Sequence, residues 1–238
     1  LLESSVRQQE KQISAVSENL ERITLKLNEQ TASRNVLTRL AHSYEGYGGA
    51  VRFIMQRKEL SGIFGTVGEL ITVPAGYETA VETVLGARMQ NIVCRDDSSA
   101  DQAIRLLKKY RAGRLTFLPL DSLRLQHKNL STGLLKEDGF LAAASDCVQI
   151  APQYRKITEY LLSGVIIIDT LENAVKISKK YKNYRYVTLE GELVNPAGAI
   201  TGGAYRKNTE GGILERKKRL RQIEDDIQSS SSQKIECE

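Results

Sequence analysis

Val165-Ile166-Ile167-Ile168-Asp169, then Ala174-Val175, Lys179-Lys180-Tyr181 and Arg185-Tyr186-Val187-Thr188-Leu189, decides how the middle of this chain is read. A β-branched run ending at an aspartate, a helical stretch and a second apolar run spell strand, helix, strand. The chain says nearly the same thing earlier, in Asn91-Ile92-Val93-Cys94-Arg95-Asp96, Ala103-Ile104, Lys108-Lys109-Tyr110 and Arg114-Leu115-Thr116-Phe117-Leu118. Ala103 and Ala174, Lys108 and Lys179, Tyr110 and Tyr181, Arg114 and Arg185 each stand 71 positions apart. Helix-forming sequence that ends near glycine precedes each copy, at residues 82–86 and 159–164. The unit is helix–strand–helix–strand. Two copies predict a mixed α/β (α+β) globe of two similar subdomains, each a small mixed sheet covered by helices. Residues 119–145 between them lack a clear pattern and read as a linking loop with a short helix.

Downstream of the second copy lies Gly191-Glu192-Leu193-Val194-Asn195-Pro196-Ala197-Gly198-Ala199-Ile200-Thr201-Gly202-Gly203-Ala204-Tyr205. It opens as a strand, turns at Asn195-Pro196 and closes on glycines, which permit positive φ and close backbone approach. Leu193, Val194 and Ile200 are out of place in a solvated loop. The stretch therefore reads either as an ordinary Gly-rich turn or as an edge strand shaped for contact with another chain.

The two ends are of another kind. Residues 1–43 contain no Gly and no Pro, and Ile13, Val16, Leu20, Ile23 and Leu27 are spaced 3, 4, 3, 4, with Leu37 on the same series after Gln30 and Arg34. That is a heptad seam with a polar interruption. Ile213, Leu220 and Ile227 form a second seam, with Ile223 between the last two. The two seams are expected to pair antiparallel as a coiled-coil hairpin carrying the globe; the alternative is two unrelated amphipathic helices packed on the domain. The Ser229–Ser232 run is expected to fray or be disordered. The expected organisation is an arm at residues 1–43, a globe at 44–208 and a second arm at 209–238. Within the globe, one subdomain spans about 44–120, a linker 121–145 and the second subdomain 146–208.

Composition bounds the function. The chain has 238 residues, 41% hydrophobic and 26% charged, with a net charge of +5. No apolar run approaches the roughly 20 residues of a membrane helix. Nothing at the N-terminus resembles a signal peptide, so a cytosolic protein is expected. Cys94, Cys147 and Cys237 lack metal-ligand spacing and are expected reduced; His42 and His127 read as surface residues, so no metal site is expected. Asp96-Asp97 and Asp169 sit where a strand hands over to a helix. Such an aspartate either binds metal or attacks phosphate, as in an α/β phosphoryl-transfer enzyme, or it belongs to an N-cap. Asp169-Thr170-Leu171-Glu172 fits the capping pattern, and Ser98 or Asp97 would cap the other copy. The chain has no G-x-x-x-x-G-K-[ST] phosphate cradle, and Gly62-x-x-Gly65-x-x-Gly68 is not a dinucleotide fingerprint. No Ser/His/Asp or Cys/His arrangement stands out. Basic clusters occur at Lys108, Lys109, Arg111 and Arg114, at Lys176, Lys179, Lys180, Lys182 and Arg185, and from Arg206 and Lys207 to Arg221. They are either solvated helix faces or surfaces for a polyanion.

Taken together these features resemble the hinge domain of bacterial-type SMC (structural maintenance of chromosomes) proteins. The likeness rests on Gly62-Ile63-Phe64-Gly65-Thr66-Val67-Gly68-Glu69-Leu70-Ile71, Tyr77-Glu78-Thr79-Ala80-Val81-Glu82 with Leu85-Gly86, Gly113-Arg114-Leu115-Thr116-Phe117-Leu118-Pro119-Leu120, and Val187-Thr188-Leu189-Glu190-Gly191 running to Thr201-Gly202-Gly203. It covers residues 45–208. The resemblance implies a homodimer that joins strands edge to edge, with Gly198, Gly202, Gly203, Ile200 and Val194 at the interface. Ala197 stands where the family usually has another glycine. It implies DNA binding near the junction with the coils, through Lys108, Arg206 and Lys207. It implies a non-catalytic fragment without cofactor, since ATP and Mg belong to a head domain absent here. It further implies accessory condensin-type subunits bound elsewhere on the full-length protein, work in chromosome condensation and segregation, and a place in the cytoplasm on the nucleoid.

Overall fold

The computed structural model describes residues 2–57, 59–125, 130–203 and 212–237. The chain forms two compact units, Leu1–Glu45 with Arg216–Glu238, and Gly46–Glu215. The first unit is built on helix α1 (Leu2–His42) and the final helix of the chain (Ile213–Cys237). Arg216 Nη1 donates to the Glu45 carbonyl at 2.8 Å, and Ser230 Oγ donates to Gln30 Oε1 at 3.3 Å. As one helix advances the other recedes, so they run antiparallel. Ile23 is buried on this seam and Leu20, Leu27 and Leu37 are half-buried, while Ile13 is 70% exposed. The serine run does not fray. Ser230 is only 2% exposed because it falls three residues after Ile227, on the heptad stripe, where its small side chain faces Gln30.

In the second unit, helix α2 (Gly49–Met55) leads to strand β1 (Ile63–Thr66), the short helix α3 (Val67–Leu70) and α4 (Glu78–Leu85). A 3-10 turn (Gly86–Gln90) precedes β2 (Ile92–Cys94), α5 (Asp97–Tyr110) and β3 (Phe117–Pro119). The order then recurs: β4 (Phe140–Ala143), α6 (Ala144–Cys147), α7 (Arg155–Leu162), β5 (Val165–Ile168), α8 (Leu171–Lys180) and β6 (Arg185–Thr188). A hairpin of β7 (Leu193–Val194) and β8 (Ile200–Thr201) follows, and then α9 (Ile213–Cys237). The first sheet has the order β1-β2-β3 and the second β4-β5-β6-β7-β8. In each, the first pairing is antiparallel and the second parallel, with α5 or α8 as the crossover.

The repeat is thus longer at its front than the sequence pattern suggests. Each unit opens with a strand, β1 or β4, and β4 occupies part of the stretch that reads as a loop. The equivalences also drift. Thr66 matches Ala143, 77 positions on; Ile92 matches Ile166, 74 on; Phe117 matches Tyr186, 69 on. A constant offset of 71 is a compromise among these. The turn Gly86–Gln90 and the longer helix α5, 14 residues against 10 in α8, account for the drift.

Thr72 and Gln149, also 77 apart, exchange both main-chain bonds: Thr72 N donates to Gln149 O at 2.7 Å and Gln149 N to Thr72 O at 2.8 Å. A residue bonded to its own equivalent lies on a twofold axis, so the two halves face each other across a local dyad. The Phe64 and Tyr154 rings meet across the halves, tilted by 50° with centroids 5.4 Å apart.

Strand alternation divides the core. Ile167 and Val187 of the second sheet and Val93 and Leu118 of the first point inward with Val81, Val84, Ile157 and Leu161 of α4 and α7, making one apolar core common to both halves. Ile166, Ile168 and Tyr186 point outward beneath α8, and α5 and α2 cover the outer face of the first sheet. Cys94 is buried, and burial pushes its thiol up to about 11; Cys147 is half-buried.

Candidate dimer margin and basic surfaces

The glycine-rich stretch folds as a two-stranded ribbon on the margin of the second sheet. Leu193 pairs with Thr201 and Val194 with Ile200, and β8 is the outermost strand. Asn195 N donates to Ala199 O at 2.8 Å and Gly198 N to Asn195 O at 2.9 Å, closing the turn with Gly198 at φ +88°. Thr188 braces the base: its hydroxyl donates to Glu192 Oε2 at 2.9 Å and accepts from Glu192 N at 3.0 Å. Ile200 is 53% exposed on this margin. Val194, grouped with it in the sequence reading, is 2% exposed and packs in the core under α8 with Tyr186. Its side chain supports the ribbon from within and is not presented to solvent.

The β1 and β4 edges differ. The register of β1 on β2 breaks between Ile63 and Gly65, and that of β4 on β5 between Phe140 and Ala142. Phe64 and Leu141 are the extra residues of two equivalent bulges, and both are exposed. A bulge interrupts the row of main-chain donors and acceptors and blunts an edge. No such break interrupts β3 or β8.

Lys108 is exposed near the end of α5. The helix stops at Arg111, which takes a left-handed conformation (φ +51°) and donates its N–H to Leu107 O and Lys108 O. Beside it the Arg57 guanidinium lies over the rings of Phe53 and Tyr110, at 4.0 and 4.7 Å from their centroids, and Lys109 Nζ lies 5.4 Å from Tyr110. Aromatic faces thus hold two cations next to Lys108. Arg206 and Lys207 lie outside the described residues. In the second half, Lys180 of the basic run pairs with Glu137, which also accepts from the Tyr181 hydroxyl at 3.1 Å.

The strand-end aspartates are occupied locally. Asp96 itself, not Asp97 or Ser98, caps α5: its Oδ1 accepts from Ser99 N and Ser99 Oγ, each at 2.7 Å. The Arg95 side chain and then these Ser99 bonds hold its carboxyl down at about 2. In α8 the cap is Thr170, whose hydroxyl accepts from Asn173 N at 3.3 Å; Asp169 stands one residue earlier and accepts from Asn173 Nδ2 at 2.9 Å. The Asn173 amide, with Thr170 N–H, keeps Asp169 below the usual carboxylate range. The capping frame therefore starts one residue later than Asp169-Thr170-Leu171-Glu172 suggests. Among the described residues no three His, Cys, Asp or Glu side chains gather as a metal site would require, and no helix is long and apolar enough to cross a membrane.

One carboxylate escapes the sequence reading. Glu82 of α4 is buried, and its Oε1 accepts from Leu214 N, in the first turn of α9, at 2.7 Å. The partners are 132 positions apart, so no local pattern announces the cap.

Residues 60–178 match the family model for the SMC proteins flexible hinge domain. The chain is 36% identical over 226 residues to the chromosome partition protein Smc of Bacillus subtilis, covering 93% of this chain and 18% of that protein. It is 36% identical over 203 residues to that of Halothermothrix orenii, covering 84% and 17%. It thus spans about a fifth of the length of these relatives. The crystal structure of an asymmetric dimer of the Geobacillus stearothermophilus SMC hinge domain superposes with a TM-score of 0.86 at 33% identity, over 94% of this chain and 91% of that one. The Pyrococcus furiosus Smc hinge domain with an extended coiled coil gives 0.57 at 26% identity, over 96% and 78%.

Proposed function

The chain belongs to the SMC hinge family, and on that premise we propose that it is the dimerisation hinge of a chromosome-partition SMC protein, holding two coiled-coil arms together. Gly202 carries this reading. It does not have positive φ, and among the described residues an added Cβ would meet only the Glu192 side chain, at an ordinary 3.6 Å. Nothing among the described residues requires glycine there. A second backbone drawn up against the β8 margin does.

Of the four sheet edges, the bulges leave β3 and β8 fit for strand addition. The β8 of one copy pairs with the β3 of the other, and the twofold repeats the seam, closing a ring. Main-chain bonds set the register, and burial of Ile200 adds affinity. Gly198 and Gly203, at φ +88° and +123°, give the ribbon its shape. Light scattering tests this. The chain is expected at twice its 26.5 kDa mass, and Gly202→Phe at the single mass with an unchanged circular dichroism spectrum. A dimer that survives the substitution overturns the placement.

On the same reading Lys108, Arg206 and Lys207 meet DNA phosphates near the junction with the arms. Reversing all three to Glu is expected to flatten the dependence of log affinity on log salt by about 0.9 for each phosphate no longer neutralised, read by fluorescence anisotropy on duplex DNA. An unchanged slope makes them solvated residues only. ATP and Mg²⁺ belong to a head domain of the full-length protein, accessory condensin-type subunits to other parts of it, and the whole to the cytoplasm on the nucleoid.

A further inference from the structure

The local dyad is imperfect where the helices meet the sheets. Helix α4 packs more closely on β6 than the equivalent α7 does on β3. The turn Gly86–Gln90, which has no counterpart in the second half, lies here and carries Arg88. The result is an open cleft of about 580 Å³, lined by Arg88, Asn91, Thr116, Arg124, Tyr160 and Ser163 among others.

Among the described residues no acidic side chain is in its lining. Among the described residues the guanidiniums of Arg88 and Arg124 make no hydrogen bond or ion pair. Two arginines in the lining of one cleft suit a ligand with two anionic groups, each able to use the bidentate geometry of a guanidinium. Thr116, Ser163 and Asn91 add neutral donors and acceptors. Tyr160, 47% exposed, offers a flat ring. The volume falls within the range of about 300–1,000 Å³ typical of small-molecule sites.

We propose that this cleft is a binding site for a free nucleoside diphosphate, with the phosphates between Arg88 and Arg124 and the base on the Tyr160 ring. The site borders the β3 margin through Thr116 and Leu118 and is distinct from any head-domain nucleotide. Isothermal titration calorimetry of the whole chain with ADP, GDP, inorganic pyrophosphate and a 5′-phosphorylated oligonucleotide tests it. ADP or GDP is expected to bind one per chain. Arg88→Ala and Arg124→Ala are expected to weaken that binding tenfold or more. Tyr160→Leu is expected to weaken nucleotide binding while leaving pyrophosphate binding as it was. All three side chains are exposed, so circular dichroism is expected to stay the same. Absence of nucleotide binding overturns the proposal, and so does binding that ignores both arginine substitutions. A preference for the oligonucleotide over ADP and GDP overturns it in favour of a strand terminus. Light scattering reads the dimer separately from this titration, so a failure of nucleotide binding alongside a dimeric mass leaves the hinge assignment untouched.

Discussion

Ile167→Ala is expected to lower the unfolding free energy of the globe by about 3 kcal/mol, the usual scale for emptying a buried isoleucine site. Ile167 is fully buried at the centre of the second sheet, paired in register with Ala142 on β4 and Val187 on β6. Strands on both sides fix its backbone, so the site cannot collapse around the missing carbons. Ile167→Val is expected to cost only about 1 kcal/mol. Its side chain lies in the core common to both halves, so the loss should shift the midpoint of one transition in guanidinium chloride rather than split it. A shift worth less than about 1 kcal/mol for the alanine variant would show that this core is looser than its burial indicates.

The second large effect concerns Glu82. Replacing it by alanine strands the buried N–H of Leu214 and removes a negative charge from the start of α9. About 2 kcal/mol is expected, from a lost hydrogen bond to a charged group. Glu82→Gln keeps an acceptor in place and should recover much of this. Gly212 bears on the same cap, since a Cβ added there would land on the Glu82 carboxylate. Gly212→Ala should therefore dislodge the cap, and the double variant should be no worse than the worse single one, because both remove one interaction. Hydrogen exchange at the Leu214 amide is the direct measurement. Protection should fall in both single variants while the β5 amides stay protected. Additive losses in the double variant would separate the two residues.

The contrast between these two positions explains what is legible in the sequence. Ile167 lies in an apolar run, Val165 to Ile168, whose four members are all β-branched, and that run, with its earlier copy, is enough to find both parallel strand pairs. The heptads through Ile23, Leu27, Ile223 and Ile227 reveal the arms, and the glycine spacing reveals the ribbon. The opening strands β1 and β4 stay hidden because each is four residues long and bulged, so period-2 alternation fails at Phe64 and Leu141. Gly65 and Ala142-Ala143 also lack strand propensity. Propensity misleads at Ser230, where the place on the heptad decides. Val194 reads as a margin residue because it sits in the glycine stretch, but the alternation across β7 sends it inward. The Glu82 cap and the Arg88 cleft depend on residues brought together only by the dyad and its imperfections.

The dyad also limits how far one half can guide changes in the other. Gly68 and Ser145 occupy matching places in α3 and α6, yet a Cβ at Gly68 would press on Ile213 and Met89. Glu82 and Glu159 match in the same way, and while one holds Leu214, the other accepts from Arg155 at 3.3 Å. Transplanting side chains between the halves would look conservative on paper and fail wherever the incoming α9 has claimed one slot of a pair, so each copy has to be engineered on its own terms.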